Sequence, residues 1–352
     1  MSETERPPAR EEDAAEVAGV SAALRRLTTW RELVTLAILV VVVLYFHCRT
    51  LTEPPRLWPP RLWPSVYLGT ANISTILTSI YMEAIVAIGM TIVIVGGGFD
   101  LSVGSVLALA GLVTGVSLVH GIPITLSVVA GIMVGMACGL VNGVLVTRVG
   151  VSPLIATLGL MLIARGLVML HIHAYGATTN FPASFVAIGS QSWGWISGVW
   201  TVLITLGLTV LGDVFLRNSR WLRQIYYVGG NERAARLSGI NVATVRTVSY
   251  ILCGVAAAIA GVLNAARFNA ASYEAGQGLE LQVISACVIG GASLAGGQGT
   301  VLGAFLGVLL VNCLRVGLTQ LGIAPDWQYV GVGIALIVAV SLDITLIRRR
   351  RG

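Results

Sequence analysis

Strongly apolar stretches follow one another along most of this 352-residue chain, parted by short polar or glycine-rich breaks. Their centres fall near Ala37, Ile88, Leu109, Val134, Leu160, Leu206, Val255, Ile284, Leu309 and Ile334. A bilayer core of about 30 Å takes roughly 20 apolar residues per helix, so the pattern predicts about ten transmembrane helices. The fold class expected is all-α, a polytopic integral membrane protein. The first run, Leu33 to Phe46, extends back to Trp30. It is not a cleavable leader: about thirty polar residues precede it, and no small-residue cleavage site follows.

Two of the breaks are rich in glycine. VGGGFDLSVGS, Val95 to Ser105, separates MEAIVAIGMTIVIV from VLALAGLVTGVSLV and carries Gly96, Gly97, Gly98 and Gly104. GGASLAGGQGTVLGAFLG, Gly290 to Gly307, carries Gly290, Gly291, Gly296, Gly297 and Gly299. Slid by 195 residues, Gly96 meets Gly291, Gly104 meets Gly299 and Val106-Leu107 meets Val301-Leu302, which suggests two parallel structural halves. Asp100 in the first break either caps free N–H groups of the next helix or belongs to a translocation path. Ala295 stands opposite it in the second, so an acid is not required at every such break. Gly131, Gly135, Gly139 and Gly143 recur every four residues, a stripe that lets helices approach closely in lipid.

Composition strengthens the membrane reading. Hydrophobic residues make up 56% of the chain, charged residues 11%, and the mean hydropathy is +0.86. Soluble domains carry about 25% charged residues. All 22 basic residues are arginine, so the lysine of a P-loop is missing and the chain does not bind ATP that way. Cys138, Cys253, Cys287 and Cys313 sit in apolar runs as small hydrophobes. His171 and His173 read as interfacial polar residues, and no metal-ligand spacing appears.

Arginine also orients the chain, because cytoplasmic loops are enriched in it. Arg25, Arg26 and Arg31 precede the first run, and Arg348 to Arg351 end the chain, so both termini are expected inside. Residues 1–29 form a polar cytoplasmic tail, 30–347 the transmembrane domain and 348–352 a basic cytoplasmic end. Residues 217–246, with six arginines from Arg217 to Arg246, fall inside; the arginine-free stretch His171 to Ser197 falls outside. Arg49, Arg56 and Arg61 violate the rule, in a loop whose Trp58 and Trp63 are expected interfacial anchors. YYVGGNERAARLSGINVATVR, Tyr226 to Arg246, predicts a short amphipathic helix at the inner face. Either it has no partner or it docks a soluble engine.

Five motifs in one order now carry a resemblance. They are GGGFDLSVGSVLALAG, GVLVTRVGVSPLIATLGLMLIARGL, VGGNERAARLSGINV, VIGGASLAGGQGTVLGAFLGVLL and APDWQYVGVGIALIVAVSLD. Together, over Ser65 to Asp343, they resemble the permeases of bacterial ABC importers for ribose, xylose and related monosaccharides. The resemblance implies a multi-pass subunit of the bacterial inner membrane, a cytoplasmic ABC ATPase, a periplasmic or lipid-anchored sugar-binding protein and a second permease copy. It implies no cofactor, no metal and no catalysis on this chain; its other partner is membrane lipid, and nothing points to nucleic acid. The segment around Gly230, Asn231, Glu232, Ala234, Ala235, Gly239 and Asn241 resembles the ATPase-coupling loop of importers, with Glu232 one position early.

Substrate-pathway candidates are Glu83, Asp100, Arg165, Gln282, Asn312 and Arg315. Intramembrane charges are expensive and are usually functional or paired. Glu83 either pairs with Arg165 or Arg315 or hydrogen-bonds a passing polyol. Asn142, Asn264 and Asn312 are polar candidates whose simpler role is interhelical glue. Arg165 fits the resembled family. Gln282, where relatives have an acid, and Arg315, where they have asparagines, depart from it and leave room for a substrate other than a plain pentose. The expected activity is import of a ribose- or xylose-like sugar by alternating access. A nucleoside or branched-chain amino acid permease, or an ion-coupled carrier using Glu83 and Asp100, are the alternatives.

Overall fold

A computed structural model describes residues 31–50 and 67–334, except 325, 329 and 332. The polar N-terminal tail, Arg56, Arg61, Trp58, Trp63, the basic C-terminus and the chain beyond Ile334 lie outside the described residues. The described chain is helical nearly throughout. The helices are α1 (Arg31–Thr50), α2 (Thr70–Ser79), α3 (Tyr81–Val95), α4 (Val103–Val119), α5 (Ile124–Val144), α6 (Pro153–Tyr175) and α7 (Ala183–Ser190). They continue with α8 (Val199–Asn218), α9 (Gln224–Gly230), α10 (Glu232–Leu237), α11 (Val242–Phe268), α12 (Leu279–Ile289) and α13 (Val301–Gln320). One two-residue antiparallel pair, β1 (Thr178–Thr179) with β2 (Ala270–Ala271), ties the segment after α6 to the one after α11.

Nine of the expected run centres, Ala37 through Leu309, lie inside helices, and Ile334 lies in a helical stretch where the description ends. The all-α, polytopic membrane architecture holds, while the count of about ten transmembrane helices is not confirmed among the described residues. Six helices are long and apolar enough to cross a bilayer, or seven if α2 and α3, bent by 41°, make one span. The runs around Leu109 and Ile284 form helices of 17 and 11 residues. At 1.5 Å per residue an 11-residue helix rises only about 16 Å, half a bilayer core. Gly278 in the left-handed region and the second glycine break bracket α12, so the apolar run is cut before it can span.

Local chemistry sets several ends. Ser152 caps α6 by accepting the Ile155 N–H, with Pro153 at its first position, where a missing N–H costs nothing. Asn241 caps α11 through the Thr244 N–H, and Thr300 caps α13 through the Gly303 N–H.

At the centre stands α11, with 72% of its apolar stretch buried, whereas α6 has 22%. Leu162 and Leu170 on α6 are each 68% exposed, apolar surface that only lipid or another subunit can cover. The glycine stripe of α5 explains the central packing. A Cβ at Gly135 would overlap the Gly254 carbonyl of α11, one at Gly139 the Tyr250 carbonyl, and one at Gly143 would crowd the Thr247 Cα. Gly131, at the far end of the stripe, meets Thr114 of α4. Cys253, Cys287 and Cys313 are buried thiols, and Cys138 is half-buried.

Candidate functional site: two cavities along α3

Two cavities lie at opposite ends of α3. The larger, of about 820 Å³, is bounded by α2, the start of α3, the end of α11, the loop 270–278, α12 and α13. Four of the six pathway candidates, Glu83, Gln282, Asn312 and Arg315, line it together with Asn264. Its size falls within the roughly 300–1,000 Å³ of small-molecule sites. The smaller, of about 320 Å³, lies against the first glycine break and is lined by Gly96, Gly97, Gly98, Ser152, Arg246 and Tyr250. Glu83 and Val93 lie ten residues apart on α3, which puts the two cavities about 15 Å apart along its axis. Between them Ile85, Val86, Ala87 and Met90 are buried to 1% exposure or less. A packed apolar layer therefore separates the two cavities.

In the larger cavity Glu83 is paired, and Glu274 is a second carboxylate in the lining. Arg315 Nη1 donates to Glu83 Oε1 at 3.1 Å, and Asn312 donates its amide N–H to the other carboxylate oxygen. Glu83 is 7% exposed and Asn312 2%. Of the two arginines open to Glu83, Arg315 is the partner. Arg165 lines neither cavity; its guanidinium donates to the carbonyls of Tyr273 and of Ala275 (2.8 Å) and holds the 270–278 loop. Tyr81 donates its hydroxyl to Asn264 Oδ1 at 2.9 Å, with the Arg267 guanidinium 5.9 Å from its ring centroid. Neither Tyr81 nor Arg267 stood out in the sequence, since a tyrosine and an arginine at helix ends are ordinary membrane-interface residues.

Asp100 also lies outside both cavities. It is 1% exposed, and its Oδ1 accepts the Ser102 N–H at 2.8 Å and the Ser102 hydroxyl at 2.6 Å. Asn142 Nδ2 donates to both carboxylate oxygens, at 3.3 and 3.4 Å, and to Ser102 Oγ at 3.0 Å. This refines the capping expectation. The carboxylate closes a turn onto the residue two positions on, ahead of α4, and makes no bond to the helix's own first N–H groups. Asn142 is thus glue between α5 and the first break, and its Oδ1 has no hydrogen-bond partner.

The two breaks share one local geometry. In each, the helix ends on a right-handed glycine, Gly96 or Gly290, and passes to a left-handed one, Gly97 at φ +81° or Gly291 at φ +97°. Gly98 N–H bonds back to Val93, and Ala292 N–H to Cys287. These equivalent positions lie 194 residues apart, one fewer than the sequence alignment gives. The helices that follow start 198 apart, at Val103 and Val301, because the second loop is longer. Gly104 and Gly290 serve close packing: a Cβ at Gly104 would overlap the Gly276 carbonyl, and one at Gly290 the Gly303 carbonyl.

The polar segment after α8 forms two short helices, where the sequence suggested one. Asn231 divides them by accepting the Ala234 N–H as the cap of α10. Gly239, at φ +80°, ends α10 as expected, with Ile240 N–H bonded back to the Ala235 carbonyl. Ala235 is 3% exposed and packs against its own chain, so it is not a surface residue, whereas Leu237 is 84% exposed. Glu232 bonds Arg236 at 2.7 Å and Arg246 at 2.8 Å, and these guanidinium contacts hold its carboxyl below its usual range.

Helices built for lipid, helices cut short at glycine breaks and a cavity at each end of α3 fit a membrane permease. A family model described as the permease component of a branched-chain amino acid transport system matches residues 72–340, and the chain belongs to that family. Among its relatives is the ribose import permease protein RbsC of Escherichia coli K12, 39% identical over 273 residues, covering 77% of this chain and 85% of that one. RbsC of Bacillus subtilis 168 is 37% identical over 281 residues (79% and 86%). The galactose/methyl galactoside import permease protein MglC of Salmonella typhimurium LT2 is 35% identical over 306 residues (81% and 90%).

Proposed function

We propose that this chain is the permease subunit of an ATP-binding cassette importer that carries a neutral monosaccharide across the inner membrane by alternating access. In this reading both termini and residues 217–246 face the cytoplasm. The larger cavity opens outward to receive sugar from a binding protein, and the smaller is the inner exit. The segment from Gly230 to Asn241 receives an ATPase through exposed Leu237, and two copies of the chain pair in the membrane. The resemblance to ribose and galactose import permeases supports this reading.

One observation carries the substrate class: the arginine of the larger cavity is already answered by Glu83. Around that pair the lining is mixed: amides and hydroxyls of Asn72, Thr75, Ser79, Asn264 and Gln282, which both donate and accept and so suit a polyol, with the Glu274 carboxylate and apolar side chains such as Phe268 and Val316 against which a sugar ring can lie. A branched-chain amino acid would need an unanswered cation for its carboxylate, and among the described residues Arg315 is the one arginine that lines the cavity. The test is uptake into liposomes holding the permease with its ATPase and binding protein. Labelled pentoses and hexoses should enter on ATP addition, and branched-chain amino acids and uronic acids should not. Entry of leucine with exclusion of every sugar would refute the assignment.

A further inference from the structure

The two glycine breaks, almost two hundred residues apart in the chain, meet at one place, and the segment after α8 is what joins them. Gly297 N–H donates to the Val95 carbonyl at 2.8 Å, bonding the second break directly to the end of α3. Gly229 lies against both: a Cβ there would overlap the Val95 carbonyl oxygen and stand 2.7 Å from the Gly297 nitrogen. Tyr226 donates its hydroxyl to the Gly299 carbonyl at 2.8 Å, a second bond to the second break. On the other side Arg246 bridges Glu232 of α10, at 2.8 Å, to the Gly96 carbonyl, at 3.4 Å.

We infer that Gly229 and Tyr226 are positioning residues that make this segment and both breaks a single joint, so that one displacement at the inner face moves both broken helices together. The physical argument is one of clearance and bonding. Backbone touches backbone at Gly229 with no side chain between, so the segment cannot advance without pressing on the end of α3 and on Gly297. Tyr226 adds the reverse connection, since withdrawal of α9 pulls on Gly299. Steric contact transmits a push and the hydrogen bond a pull, which gives the joint both directions of a cycle. The segment meets the two breaks at different points, the end of α3 at Val95 in the first and Gly297 and Gly299 just ahead of α13 in the second, so one displacement acts on the facing ends of α3 and α13 together.

This inference rests on the coupling role proposed above, and the experiment separates the two. Tyr226→Phe and Gly229→Ala permeases are reconstituted with ATPase and binding protein beside the wild type. Tyr227→Phe, at an exposed neighbouring ring, and Gly159→Ala, where a Cβ meets open space, are the controls. Three quantities are read: ATPase retained on purification, ATP hydrolysed, and sugar moved per ATP. Both test variants should keep the ATPase and hydrolyse ATP, while sugar moved per ATP falls several-fold, more for Gly229→Ala; the controls should match wild type. A merely structural role would lower protein yield and leave that ratio unchanged. Tyr226→Phe is mild enough to decide the matter if Gly229→Ala does not accumulate, and a wild-type ratio in Tyr226→Phe would overturn the joint. Failure of the wild-type permease to retain the ATPase would overturn the coupling role, and the joint with it.

Discussion

Asp100 shows how a charge in a membrane protein can serve geometry. Its carboxylate is enclosed by neutral donors from Ser102 and Asn142, and it touches neither cavity. Asparagine keeps an oxygen for the Ser102 N–H, so Asp100→Asn should retain most uptake, whereas Asp100→Leu should strand those donors and lose protein. Uptake at matched expression checks this; complete loss in Asp100→Asn would place the carboxylate in the transport step itself. Glu83 is the opposite case, a carboxylate inside the cavity with a cation in reach. A double-mutant cycle in detergent between Glu83→Gln and Arg315→Met should give a coupling of about 0.5–3 kcal/mol, and the cycle with Arg165→Met less than about 0.5 kcal/mol. Which arginine answers Glu83 was not legible in the sequence. The partners are 232 positions apart, and only the packing of α3 on α13 brings them together.

At the scale of elements, the apolar runs were legible because burial in lipid needs little beyond length and composition. Their continuity was not. A run of apolar residues reads the same whether it spans or stops halfway, and glycines at either end decide which, as at α12. The repeat shows the same limit: matching letters set it at 195, while the hydrogen bonds that end the helices set it at 194. Asn231, which splits the polar segment, carries its own signal in the sequence, since asparagine ahead of Glu-Arg-Ala-Ala is a helix start. The tie between α10 and α11 through Glu232 has a pH signature. Hydrogen bonding to Arg236, then the Arg246 charge, lowers the carboxyl pKa from 4.5 in the folded chain. Its stabilisation is thus full above pH 4.5 and fades as pH falls through the lowered value. The pair is partly exposed, so the effect is worth no more than about 1 kcal/mol. Thermal melts of wild type and Glu232→Gln should differ at neutral pH and converge in acid; a constant gap would show that Glu232 contributes by packing and not by charge.

Across the whole molecule, the stripe of α5 and the body of α11 meet backbone to backbone over three successive turns. Gly135→Val should overpack that contact and cost at least about 1–3 kcal/mol, seen as a lower melting temperature in detergent. Gly159→Val on the open face of α6 should melt near wild type. Gly89 of α3 presses on the same helix from another side, where a Cβ would stand 2.5 Å from the Cys253 Cα. Wedged in this way on two sides, α11 has no room to slide or roll by the width of even a methyl group. Such a helix should serve as a fixed axle. The parts expected to swing in the proposed transport cycle are those that end at glycine turns, about a shaft that should keep its place throughout. Backbone amides along α11 should therefore exchange with solvent last of all, and at the same rate in outward- and inward-facing states.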